Sequence, residues 1–127
     1  MSLTEKIGMS ETSFFDTYAI FEIIKGNPKY GTYTTSRIVT TIFNLAELNR
    51  NLKKESDKKV ADEYADKYFE FIIDVTLEDI KNAMDLKTKN KKLSVPDAIG
   101  YTVAKRLGIK FLTCDNDFEG MENVEFV

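Results

Sequence analysis

Ser94-Val-Pro-Asp-Ala-Ile-Gly-Tyr-Thr-Val-Ala-Lys-Arg-Leu-Gly-Ile-Lys-Phe-Leu-Thr-Cys-Asp-Asn-Asp-Phe118 reads as a helix, a tight turn, a buried strand and an acidic loop. Pro96 and Asp97 suit a first helical turn, because proline loses nothing where the amide has no partner and a carboxylate favours the positive end of the helix dipole. Ile99, Val103 and Leu107 then recur every four residues as one apolar stripe. Gly108 stands where a left-handed residue ends a helix, and Ile109 to Thr113 leave room only for a short strand. A helix joined to its strand by so short a turn runs antiparallel to it. Asp97, at the helix start, is therefore carried to the sheet edge where the strand delivers Asp115 and Asp117. In open α/β sheets that edge, outside the carboxyl ends of parallel strands, is where ligands bind.

Upstream, Thr12 to Phe15 closed by Asp16 predicts a first strand with an aspartate at its carboxyl end, followed by a helix through Tyr18 to Ile24 that Gly26-Asn27-Pro28 stops. Pro28 to Gly31 reads as loop and the β-branched Tyr33 to Val39 as a second strand. Thr40 or Thr41 caps a helix to about Leu52. On it Ile42, Phe43, Leu45, Ala46, Leu48 and Leu52 share one side, Asn44 and Asn51 oppose them, and Glu47 falls at the margin. Ser56 to Phe69 predicts a further helix and the apolar Phe69 to Val75 a third strand. Thr76-x-x-Asp79 opens a helix as a capping box, and a lysine-rich segment, 87–92, ends it. Val124 to Val127 reads as a terminal strand. The alternation predicts an α/β fold: a three-layer α/β/α sandwich around a parallel sheet of four to five strands. One domain over residues 1–127 is expected, with residues 1–10 as a flexible leader.

Composition narrows the chemistry. Hydrophobic residues at 43% and charged residues at 31% are ordinary for a soluble domain. No apolar run approaches the roughly 18 residues of a membrane span, and the first residues lack the apolar core of a secretory signal, so a cytoplasmic location without membrane contact is expected. Cys114 is the only cysteine and there is no histidine, which excludes an internal disulfide, cysteine-rich zinc sites and all histidine-based catalysis. What remains is carboxylates, hydroxyls, lysine, or a hard cation such as Mg²⁺ or Mn²⁺ held by oxygen. A net charge of −3 argues against a generally basic nucleic-acid surface, although Lys87, Lys89, Lys91 and Lys92 form a local positive run.

If the chain winds to both sides of the first strand, that strand and the one ending in Thr113 become neighbours, about 4.8 Å apart, and Asp16 adjoins Asp115. Asp97 reaches the same edge, and Glu47 reaches it if its helix leans inward. With 21 acids in 127 residues, each has a plain structural alternative: a cap for Asp16, dipole compensation for Asp97, turn formation for Asp115 and Asp117. Together they would repel one another strongly unless a cation joins them.

Phe14-Phe15-Asp16-Thr17, Ile38-Val39-Thr40 through Leu45-Ala46-Glu47-Leu48, Pro96-Asp97-Ala98-Ile99 and Leu112-Thr113-Cys114-Asp115-Asn116-Asp117-Phe118 resemble the PIN domain family, in particular its compact VapC-type toxin ribonucleases. The resemblance spans nearly the whole chain in order and spacing. It implies that Asp16, Glu47, Asp97 and Asp115 are catalytic metal-site acids, with Asp117 as an auxiliary metal acid and Thr17 and Thr113 as supporting hydroxyls. It further implies hydrolysis of RNA phosphodiesters with one or two Mg²⁺ or Mn²⁺ ions, a homodimer, and an antitoxin protein as partner. Tyr18 departs from the small or polar residue usual after Asp-Thr. A receiver domain wants adjacent acids after its first strand, and a haloacid-dehalogenase phosphotransferase wants Asp-x-Asp. The sequence offers Asp16-Thr17-Tyr18 to both. A catalytically silent PIN-like domain that binds RNA or protein is the alternative to a nuclease.

Overall fold

The computed structural model describes residues 12–127, so the expected leader lies outside the described residues. A four-stranded sheet is built from β1 (Thr12–Phe15), β2 (Arg37–Val39), β3 (Lys110–Thr113) and β4 (Val124–Phe126), ordered β2-β1-β3-β4 with every pair parallel. Among the described residues five α-helices accompany it: α1 (Thr17–Ile24), α2 (Ile42–Glu55), α3 (Lys58–Tyr68), α4 (Leu77–Lys89) and α5 (Val95–Leu107).

Alternation along the strands creates two cores, because successive side chains leave a strand on opposite faces. Phe14 and Phe111 stack at 5.5 Å on the face covered by Ala83 of α4 and by Ala98, Ile99 and Val103 of α5. Phe15 and Leu112 point the other way, into Ala19 and Ile20 of α1, Leu45, Leu48 and Leu52 of α2, and Ala61 and Tyr68 of α3. This is the expected three-layer sandwich. Gly108, at φ 69°, turns α5 back into β3 as its left-handed position requires. Gly100 has a different reason to lack a side chain: a Cβ there would lie 2.9 Å from the Phe14 ring and 3.0 Å from the Asn44 amide oxygen, so α5 presses directly on β1 and α2.

Several expectations need correction. The predicted third strand, Phe69 to Val75, forms only a single parallel bridge, Thr40 to Ile72, after a turn of 3₁₀ helix over Phe69–Phe71. Its apolar run is explained by position: Phe71 and Ile72 pack on one core and Ile73 and Val75 on the other, so the segment crosses the sheet edge between layers. The second strand is shorter than Tyr33 to Val39, and the expected loop at Pro28 is 3₁₀ helix over Pro28–Tyr33. The Asn27 side chain caps that turn, and Thr34 and Thr35 donate to local carbonyls instead of joining the sheet. On α2, Ile42 and Ala46 are exposed, whereas Asn44, expected opposite the apolar stripe, is fully buried between α1 and α5.

Candidate functional site

Strand order reverses between β1 and β3, since β2 lies on one side of β1 and β3 on the other. The carboxyl ends of these two strands form the switch point. β1 delivers Asp16 there, completely buried, and its amide donates to the Leu112 carbonyl at 3.1 Å. One Asp16 oxygen accepts from the Thr17 amide at 2.8 Å, and the other from the Thr113 hydroxyl at 2.7 Å. Thr113 in turn accepts from the Asp115 amide at 3.0 Å, which ties the two strand ends together. Asp115 accepts from the Asp117 amide at 2.9 Å, the turn geometry foreseen for this pair.

Asp97 arrives as the third residue of α5 and is 5% exposed. It completes a capping box: Ser94 N–H donates to Asp97 Oδ2 at 2.9 Å and the Asp97 amide donates to Ser94 Oγ at 3.1 Å. Ser94 Oγ also lies 3.4 Å from Glu47 Oε2, so the cap of α5 meets the inward-leaning side chain of α2. Glu47 Oε1 and Asp97 Oδ1 are buried with no hydrogen-bond partner. Native interiors leave few such atoms, because an unsatisfied buried acceptor is costly.

Each of these acids feels the charge of its neighbours. Burial and then the charge of Asp97 raise the Asp16 carboxyl well above its usual range, with Glu47 adding to this against the hydrogen bonds from Thr113 and Thr17. Burial, Glu47 and Asp115 push Asp97 up to about 6, opposed by the Ser94 hydrogen bonds. The Tyr18 phenol is raised by burial and then by the charges of Glu47, Asp115, Asp97 and Asp16. With Cys114, Asp115, Asn116 and Asp117 it lines an open cavity of about 420 Å³. Asp117 sits on that rim and is not among the main charges acting on Asp16 or Asp97.

Thr17 and Thr113 are both fully buried. Thr17 Oγ1 donates to the Asn44 carbonyl and accepts from Asn44 Nδ2, each at 3.3 Å, while Asn44 Oδ1 accepts from Thr41 at 2.6 Å. Asn44 thus locks the start of α1 to the start of α2. Sequence reasoning missed it, since helical periodicity assigns one buried face and α2 has two. Ser94 was also missed, although Ser94-x-x-Asp97 repeats the pattern read correctly at Thr76-x-x-Asp79.

A hard divalent cation fits this edge by donor chemistry: every available side-chain donor among the four acids is a carboxylate oxygen, two of those oxygens are buried and unsatisfied, and their mutual repulsion calls for positive charge. The acids are neighbours and not a closed cage. Among the described residues no group of three or more acidic or cysteine side chains is drawn together tightly enough to hold a metal as it stands. The larger groove of about 440 Å³, lined by residues of α4 and α5 that include Asp79 and Arg106, offers no comparable demand, because its buried carboxylate is already paired.

In comparison with known proteins, residues 13–124 match the PIN domain family. None of the curated proteins compared with the chain matches it. A solved structure described as a toxin-antitoxin complex from Klebsiella pneumoniae is similar, with a TM-score of 0.69 and 20% identity over 89% of this chain and 95% of that one. At that identity the likeness is one of fold.

Proposed function

This chain belongs to the PIN domain family, and on that premise we propose that it is a nuclease, a divalent-metal-dependent endoribonuclease that hydrolyses RNA phosphodiester bonds. The observation that carries the proposal is the set of uncompensated carboxylates at the switch point, with Asp16 and Asp97 raised and the free oxygens of Glu47 and Asp97 buried. Asp16, Glu47, Asp97 and Asp115 would hold Mg²⁺ or Mn²⁺, with Asp117 as an auxiliary ligand at the rim. The cation would supply a Lewis acid and an activated water, chemistry that needs no histidine.

The residues of the chain prepare the site. Thr113 and the Thr17 amide hold Asp16 in one orientation, Ser94 holds Asp97 by one oxygen and leaves the other free, and Asn44 fixes the helix that carries Glu47. Tyr18, 43% exposed, lines the open cavity beside Asp115. The similar solved structure is a toxin-antitoxin complex, which supports reading the chain as the toxin of such a pair, with an antitoxin protein as partner. A homodimer and a cytoplasmic location complete this reading. No helix among the described residues is long and apolar enough to cross a membrane.

A second reading, a catalytically silent PIN-like domain that binds RNA or a protein, is favoured by one observation: the acids are not gathered into a closed cage. Incubating the purified protein with structured and unstructured RNAs in Mg²⁺, Mn²⁺ or EDTA separates the two. Cleavage is expected with metal and not with EDTA. RNA bound but never cut in either metal supports the silent domain, and cleavage indifferent to EDTA overturns the metal mechanism.

A further inference from the structure

The last turn of α4 and the segment that joins it to α5 carry Lys87, Lys89, Lys91 and Lys92 with no acid among them, in a chain whose net charge is −3. The turn is well formed: Lys87 Nζ donates to the Leu93 carbonyl at 3.0 Å, the Leu93 amide donates to Asn90 at 3.3 Å, and Leu93 is completely buried. Lys87 is thereby committed to holding the turn. Lys89, Lys91 and Lys92 are exposed, and none of the ion pairs among the described residues engages them.

Their position gives these free cations a use. Lys92 stands two residues before Ser94, within ~7 Å of chain, and Ser94 is the residue that touches both Glu47 and Asp97. Lys92 therefore borders the acid edge without neutralising it, and Lys91 and Lys89 precede it in the same stretch of chain. An RNA strand approaching Asp16, Glu47, Asp97 and Asp115 meets repulsion from those acids and from the net charge of the chain. A cation at the acids offsets that at one phosphate only. The neighbouring phosphates need fixed positive charge beside the site, which is what lysine contacts supply in nucleic-acid binding.

From this juxtaposition we infer that the α4–α5 turn is an RNA-backbone binding surface, in which Lys89, Lys91 and Lys92 hold phosphates flanking the one presented to the acids. The inference rests on the nuclease reading for the identity of the polyanion. Its test is fluorescence anisotropy of a labelled 12-nucleotide single-stranded RNA in EDTA, titrated with KCl from 25 to 200 mM. Wild type is compared with the Lys89→Gln, Lys91→Gln, Lys92→Gln triple variant and with a Lys29→Gln, Lys59→Gln, Lys67→Gln triple of equal charge change at exposed positions outside the turn. The turn variant is expected to bind about tenfold more weakly at low salt. Its slope of log K against log salt should be shallower by about 2, three contacts at roughly 0.7 each. The other triple should keep the wild-type slope. In Mn²⁺, KM for cleavage should rise in the turn variant while kcat stays within twofold, a split that a merely structural role would not produce.

Equal losses in both triples would reduce the effect to net charge and overturn the inference. So would an unchanged slope in the turn variant, or no wild-type binding at 25 mM KCl. Wild type that binds with the full slope but cuts nothing in Mn²⁺ or Mg²⁺ removes the nuclease reading and leaves the binding surface standing.

Discussion

Helices α4 and α5 begin alike. Thr76 and Ser94 cap them, Asp79 and Asp97 sit at the third position, and in each box the cap amide donates to the carboxylate at 2.9 Å. Both carboxylates are buried, at 2% and 5% exposure. Their surroundings differ in sign. Arg106 reaches Asp79 with two nitrogens, at 2.8 and 2.9 Å, and although burial alone would raise that carboxyl, the guanidinium and Thr76 bring it below its usual range. Asp97 has Glu47 and Asp115 where Asp79 has Arg106, and it rises to about 6. One local motif thus serves two ends. Where the fold supplies its own cation, the box is structural, and where it surrounds the box with acids, the charge is left for the external cation proposed above.

The comparison breaks most visibly in activity. Asp97→Asn keeps the cap and removes a charge, and it should lower RNA cleavage in Mn²⁺ by roughly 100-fold or more, about 3 kcal/mol in the barrier. Asp79→Asn, the same chemical change at the matching position, should leave kcat within about threefold. Initial rates on one RNA decide this, and equal losses in the two variants would show that both acids act only through stability.

The pH dependence of stability in EDTA should separate the same two residues by opposite signs. A carboxyl raised to about 6 holds its proton more tightly in the native state. Its contribution is present below about pH 4 and is lost as pH rises through about 6, and the gap is worth at most roughly 3 kcal/mol. Asp16, also raised, adds in the same direction. Asp79 is lowered, so its contribution is present above about pH 4 and is lost as pH falls through its folded value. Urea melts from pH 3 to 8 should show Asp97→Asn flattening the decline between pH 4 and 7, and Asp79→Asn flattening the acid limb. A wild type whose stability does not fall between pH 4 and 7 would contradict the crowding of acids at this edge.

Much of this arrangement was legible in the sequence because it follows from short-range rules. The strand closed by Asp16, the Gly108 turn and the reversal that brings Asp97 to the strand ends need only local pattern and the antiparallel geometry of a helix joined to its strand. The resemblance added Glu47, which periodicity left at the margin. What was not legible depends on contacts distant in sequence. Nothing near Asp79 announces Arg106, whose guanidinium arrives from the far end of α5. Asn44 reads as a surface residue until Gly100 brings α5 against it. The run from Phe69 to Val75 has strand composition for a reason that composition does not reveal, contact with two cores at once.

The smallest effect tests whether the two caps differ in anything beyond their surroundings. Thr76→Ala and Ser94→Ala each delete one cap hydroxyl and leave the amide-to-carboxylate bond of the box intact. Each should cost about 1 kcal/mol in the metal-free protein, the usual worth of such a cap. The variants should part company when metal is added. Asp79 remains clamped by Arg106 without Thr76, so Thr76→Ala should gain as much from millimolar Mn²⁺ as wild type does. Ser94 Oγ accepts from the Asp97 amide and donates to Glu47 Oε2, and without it the Glu47 carboxylate loses the contact that ties it to the start of α5 beside Asp97. A cation at tenfold its Kd stabilises the native state by about 1.4 kcal/mol, and a severalfold weaker site in Ser94→Ala would reduce that by about half. Thermal melts with EDTA and with Mn²⁺ measure both quantities on the same samples. Equal metal shifts in the two alanine variants would mean that Ser94 is only a cap, and the orientation of Asp97 would then be owed to its backbone alone.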